Sequence, residues 1–186
     1  MKGRPGTRDE ADLGARPLKL RAHDAEDLQA IAACLQDALV PLSDVAYLKP
    51  EKRFVMVANR FRWEGAATQG PAAARPEPGS PGDARFEAAG KDRPARFFER
   101  VNCGVCFDRV TKVRVRGVDL RDREQILNLL TLGAAPGAIT LVFSGGAEIR
   151  LEVSQIRCHM EDLGEPWPTP WRPSHPLEDP AADGRR

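Results

Sequence analysis

Three groups of residues in this chain are of types that could do chemistry: thiols with imidazoles, a glycine-rich turn, and stripes of cations. Cys103-Gly-Val-Cys106 has the CxxC spacing of metal knuckles and redox dithiols, and Cys158-His159 adds a further thiol and an imidazole. A structural zinc site of this kind calls for a second spaced pair, which the sequence lacks. Residues 101, 103, 105 and 107 also alternate apolar side chains, so Cys103 and Cys106 fall on opposite faces of a strand and cannot chelate one ion together without a turn at Gly104. The motif opens no helix that would lower a thiol pKa, which disfavours a dithiol role and leaves Cys103 as a small core residue. No metal or other cofactor is expected. His23, His159 and His175 are scattered and join no nucleophile in a recognisable motif. Ser144-Gly-Gly146 lacks the Lys-Ser/Thr and the following helix of a phosphate loop, and it suits a hairpin turn.

The cations are better organised. Lys19 and Arg21 alternate with Leu18 and Leu20, Arg114 and Arg116 alternate with Val113 and Val115, and Arg62 and Arg157 follow in matching places. Facing outward from two related strands, they could form a surface that holds phosphate or a carboxylate-rich partner. The competing reading is a pair of solvated faces neutralised by neighbouring Glu and Asp. Nucleic acid is disfavoured, because these strands carry no interleaved exposed aromatics. A second candidate is Gly164-Glu-Pro-Trp-Pro-Thr-Pro-Trp-Arg-Pro-Ser-His-Pro176, in which dense prolines forbid helix and favour an extended chain. Trp167, Trp171 and Arg172 either anchor this segment across the protein's own sheet or face a partner.

The elements that must position these residues follow from hydrophobic period. Asp24 offers a carboxylate cap to a helix running to about Leu39, with Leu28, Ile31, Leu35 and Ala38 on one stripe. Pro41 ends it, and strands are expected at 44–49 and 53–62. Leu18-Lys-Leu-Arg-Ala-His-Asp24 slides onto Val113-Arg-Val-Arg-Gly-Val-Asp119, and in the same register Ile31 meets Ile126, Pro41 meets Pro136 and Phe54 meets Ile149. A duplicated β-α-β-β unit follows, with a second helix capped by Asp119 or Asp122, carrying Ile126, Leu127, Leu129 and Leu130 and closed by Gly133. Strands at 138–143 and 147–157 complete it, and an extra strand at 101–107 is expected to pair with 110–117. The fold class is α+β: a mostly antiparallel sheet covered by two helices. The strand around Phe54-Val-Met-Val-Ala58 is apolar on both faces, so Val55 and Val57 call for a cover: the C-terminal segment, a partner chain (another protein or a second copy), or the insertion at 65–96.

At 186 residues the chain can build a single domain with a core. Residues 1–16, 65–96 and 177–186 are rich in Gly, Pro, Ala and charge and are expected to be mobile. The domain then spans 17–176: unit one at 18–63, the insertion, the extra strand with unit two at 101–158, and the Pro/Trp segment at 164–173. No apolar run approaches the ~20 residues of a membrane helix, and the polar start has no secretory h-region. A cytoplasmic protein with reduced thiols is expected. A formal charge of +1 leaves no global attraction to nucleic acid or anionic lipid.

Leu18-Lys-Leu-Arg-Ala-His-Asp-Ala-Glu-Asp-Leu28, Arg53-Phe-Val-Met-Val-Ala-Asn-Arg-Phe-Arg-Trp63 and Gly164-Glu-Pro-Trp-Pro-Thr-Pro-Trp-Arg172 resemble the uncharacterised bacterial family DUF2948, a domain of unknown function. The resemblance implies a small cytoplasmic bacterial protein and brings with it no activity, cofactor or catalytic residue; the 65–96 insertion departs from the family pattern. The reading is therefore of a non-catalytic binding or interaction module. The alternatives are an anion or nucleic-acid binder working through the Lys19/Arg21 and Arg114/Arg116 stripes, and an enzyme with an unrecognised site.

Overall fold

The computed structural model describes residues 17–64, 98–170 and 173. The expected mobile segments 1–16, 65–96 and 177–186 lie outside these, as do Trp171 and Arg172. Strand β1 (Lys19–Ala22) leads into α1 (Ala25–Leu35), then β2 (Ala38–Pro41), β3 (Val45–Leu48), β4 (Arg53–Phe61) and β5 (Phe98–Phe107). The rest is strand: β6 (Val110–Arg116), β7 (Ile126–Ala135), β8 (Ala138–Phe143), β9 (Glu148–Val153) and β10 (Cys158–Thr169). They form one ten-stranded sheet in the order β1-β10-β5-β4-β2-β7-β8-β9-β6, with β3 paired to β4. Every pairing is antiparallel.

Only Asp108 and Arg109 join β5 to β6, although these strands stand far apart in the sheet order. The sheet therefore curls, bringing the start of β6 against β3 and the β3–β4 connection. Val110 N–H donates to the Lys52 carbonyl at 2.8 Å, and the Tyr47 hydroxyl donates to the Val110 carbonyl at 3.3 Å. One core fills the interior, drawing Phe54, Met56 and Phe107 from one half and Leu129, Leu141 and Ile149 from the other. Helix α1 closes one side. The Asp24 carboxylate accepts from the Asp27 N–H at 2.8 Å, Asp27 returns the favour to His23 N–H, and Leu28, Ile31 and Leu35 turn inward.

The helix stops earlier than its apolar stripe suggests. Asp37 takes a left-handed backbone, with φ at 59°, and its N–H donates to the Leu129 carbonyl, so the chain enters the sheet and Ala38 becomes a residue of β2. The expected second helix is strand β7. Two features mimicked a helix there. Asp119 and Asp122 accept hydrogen bonds from the N–H groups of Arg121 and Glu124, making local turns rather than a helix cap. A bulge between Leu129 and Thr131 inserts one residue, so the inward side chains are Leu127, Leu129 and Leu132, a spacing close to a helical repeat. Ile126, 61% exposed, and Leu130 fall outside. Gly133 sits within the strand, and the hairpin to β8 turns instead on Pro136-Gly137, with Gly137 at φ 74°.

This changes the repeat. Ile31 is helical and Ile126 is extended, so 18–63 and 113–158 differ in element order, although Phe54 and Ile149 are both buried strand residues. Strand β5 does not pair with β6; it lies between β10 and β4, and β6 pairs with β9. The Ser144-Gly-Gly146 connection between β8 and β9 forms as expected, with Gly145 and Gly146 at positive φ.

The largest fully buried side chain is charged. Along β4 the inward positions are Phe54, Met56, Ala58 and then Arg60. The Arg60 guanidinium donates through Nε and Nη2 to both oxygens of Asp162 on β10, each at 2.7 Å, and through Nη1 and Nη2 to Glu64 at 3.1 and 2.7 Å. Asp162 also accepts from the Leu18 N–H at 3.1 Å while donating its own N–H to the Leu18 carbonyl. Burial opposes the guanidinium charge, yet the hydrogen bonds to Asp162 and Glu64 outweigh it and raise the Arg60 pKa. Burial likewise pushes Glu64 up, but the hydrogen bonds from Arg60 hold it net below its ordinary 4.5.

Removing one partner strands the other in the core. Asp162→Ala should cost about 3–5 kcal/mol in chemical denaturation, whereas Arg60→Met combined with Asp162→Leu should cost clearly less. Because the folded Glu64 pKa is depressed, its contribution is present above pH 4.5 and lost as pH falls through the lower folded value. The Tm gap between the natural protein and Glu64→Gln should therefore be widest near neutrality and close on acidification below pH 4.5.

Candidate functional site

At one end of the sheet the outward side chains of three neighbouring strands converge. Successive residues of a strand point to opposite faces, so Cys158 and Met160 of β10 enter the core while His159 and Glu161 point away from it. The register then builds a cross-strand row: Arg21 of β1 stands opposite His159, His159 opposite Cys106 of β5, and Cys106 opposite Val55 of β4. In the adjacent row Lys19 stands opposite Glu161, and Glu161 opposite Gly104. Asp108 follows Cys106 by two residues and so shares its face. Its N–H donates to the Arg157 carbonyl at 2.9 Å, drawing the β9–β10 connection against the β5–β6 turn.

A cleft of about 310 Å³ opens among Arg21, His23, Asp108, Arg157, His159 and Glu161. Each carboxylate is already engaged: Asp108 accepts from Arg53 Nε at 2.8 Å, and Glu161 pairs with Lys19 at 2.6 Å. Arg157 donates only weakly, to Gln155 at 3.3 Å. Arg21 and Arg157 line the cleft beside two imidazoles. A second concavity of about 340 Å³, between Ala25 and the Pro136-Gly137 turn, is lined without a titratable side chain.

The structure divides the residues singled out in the sequence. Arg21 and Arg157 come together at the cleft, and Lys19 joins them only through its pair with Glu161. Arg114 and Arg116 lie on β6, at the other end of the sheet order, and pair across to Glu152 and Glu148 at 2.7 and 2.9 Å. Such exposed pairs are worth little in stability, and the two stripes do not merge into one basic surface. Arg62 pairs with Glu99 and Glu64. Trp167, 36% exposed, stands opposite Arg100, because residues 165–169 continue β10 beside β5 rather than crossing Val55 and Val57. Those two valines are half-buried, and Leu163 folds over Gly104, the residue paired with Val57.

Asp108, Arg53 and Glu161 were missed in the sequence. Asp108 carried a readable signal, since the residue two past Cys106 in an alternating strand shares its face; Arg53 and Glu161 depend on pairing between distant strands. All four cysteines are free thiols. Burial pushes Cys103 up to about 12 and raises Cys158 further. Burial also raises Cys106, aided by Asp108 and opposed by Arg53.

Taken together, fold and cleft define a mostly antiparallel sheet protein with one covering helix and an open polar site at a sheet end. No helix among the described residues is long and apolar enough to cross a membrane. Residues 18–175 match the model of a family described as "Protein of unknown function (DUF2948)", and the chain belongs to that family. Neither the curated proteins nor the solved structures contain a match to it.

The thiols give a direct check of the faces assigned here. With iodoacetamide at neutral pH, Cys103 and Cys158 should stay unmodified in the native protein and react fully in denaturant, while half-buried Cys34 should react first. Mass spectrometry of the digested protein reads all four; native labelling of Cys103 ahead of Cys34 would contradict the assignment.

Proposed function

We propose that this protein is a non-catalytic binding module whose cleft takes a small anion, of phosphate or carboxylate class. The observation that carries the reading is the charge arrangement of the cleft. Its carboxylates are held by Lys19 and Arg53, while Arg21 and Arg157 face the opening. Guanidiniums present forked donors that suit phosphate and carboxylate oxygens, and His23 and His159 add further donors. The cleft is small and open, of a size for a compact ligand rather than a strand of nucleic acid.

The non-catalytic reading is supported by the thiols. An activated cysteine needs a lowered pKa, and Cys103, Cys106 and Cys158 are all raised. Unpaired thiols, with a polar and nearly neutral chain, support placing the protein in the bacterial cytoplasm.

Calorimetric titration with inorganic phosphate and with citrate tests the reading. The natural protein should bind at least one of them, and Arg21→Ala with Arg157→Ala should weaken that binding at least about tenfold, the equivalent of losing one charge-assisted hydrogen bond. Arg114→Ala with Arg116→Ala should leave it unchanged. Equal binding by the two double variants, or no binding of either probe by the natural protein, overturns the anion site.

A further inference from the structure

We propose that Cys106, Asp108 and His159 form a site for one divalent cation of the zinc class. The thiol, carboxylate and imidazole donor atoms of these three residues all lie within 4.8 Å of one another. A tetrahedral zinc with ordinary bond lengths needs its donors about 3.5 Å apart, a difference that side-chain rotation can close without moving a strand. The backbone has already done the ordering: Cys106 and His159 are direct partners in the β5–β10 ladder, and Asp108 sits at the end of β5 on the same face.

Cys106 is also out of place for a packing residue. It is 8% exposed but belongs to the outward face of β5, whereas Cys103 and Val105 serve the core. Its Sγ lies 4.0 Å from Oδ1 of Asp108. Arg53 Nε donates to that same Oδ1, which holds the carboxylate in place beside the thiol. The guanidinium opposes a nearby cation, and the two negative charges of a thiolate and a carboxylate offset it. Binding displaces the Cys106 thiol proton into solvent. A mixed sulfur, nitrogen and oxygen set selects zinc or cobalt over magnesium or calcium, and three protein donors leave a fourth position for water on the cleft side. The ion takes Cys106 without Cys103, which serves the core, and takes its imidazole from β10.

The site shares His159 with the anion reading but none of its guanidiniums, so the Cys106 and the Arg21/Arg157 variants tell the two apart. Untagged full-length protein, stripped with a chelator, is titrated with zinc chloride and cobalt chloride, with magnesium chloride as control. One zinc per chain should bind and raise Tm, and cobalt should give an intense thiolate-to-metal charge-transfer band. Cys106→Ser should abolish that band, and His159→Ala should weaken binding by more than the roughly 10–100-fold that loss of an outer-shell partner costs. Cys103→Ser should change neither, and Arg21→Ala with Arg157→Ala should keep zinc. Apo Tm values of the variants check their folding independently of metal. A cobalt band that survives Cys106→Ser, a band lost in Cys103→Ser instead, or no zinc retained by the natural protein overturns the site.

Discussion

A single guanidinium in the core ties the sheet together at the end where the site lies. Arg60 occupies an inward position of β4 with no exposed side-chain surface, and a charge there is tolerated only if its donors are met. Asp162 meets two of them and so locks β10 at a set height relative to β4, although β5 lies between the two strands. The same carboxylate receives the Leu18 N–H just before β1 begins, which places the outermost strand as well. The geometry of one ion pair thus reaches three strands. Hydrophobic side chains could slide by one pleat and find other apolar neighbours, but the forked Arg–Asp contact has one register.

The cleft is the outer consequence of that inner lock. Because strand side chains alternate, fixing Met160 and Asp162 inward commits His159 and Glu161 to the opposite face, where Arg21 and Cys106 meet them. The chemistry therefore stands on a rigid ladder and not on a loop. Only Asp108, Arg157 and His23 come from connections, and the Asp108–Arg157 backbone hydrogen bond holds two of these in place.

Helix α1 does a different job. Its capping residues are polar and local, and its buried stripe of Leu28, Ile31 and Leu35 packs against β7, β1 and β4. It thereby spans both halves of the curled sheet, and Gln29 reaches the Leu132 carbonyl at the bulge of β7. A second helix would have had nowhere to lie without uncovering that face. Strand β7 instead fills the middle of the sheet, paired on both sides by β2 and β8.

What the sequence determined by itself is what depends on near neighbours. The α1 cap, the strand alternation in β1, β4, β5, β6, β8 and β9, the glycine hairpin at 144–146 and the opposite facing of Cys103 and Cys106 all follow from period and turn chemistry. Even the inward place of Arg60 was legible, two residues beyond Ala58 on the face opposite Val55 and Val57. Tertiary structure decided the rest. Whether 126–135 was strand or helix turned on β2 and β8 pairing with it on both sides, while one inserted residue gives its inward side chains a helix-like spacing. Whether Arg21 belonged with Arg157 or with Arg114 turned on β10 returning to lie between β1 and β5, a pairing across most of the chain that no local period encodes. The site is made of such long-range partners, so its residue types could be named in the sequence while their company could not.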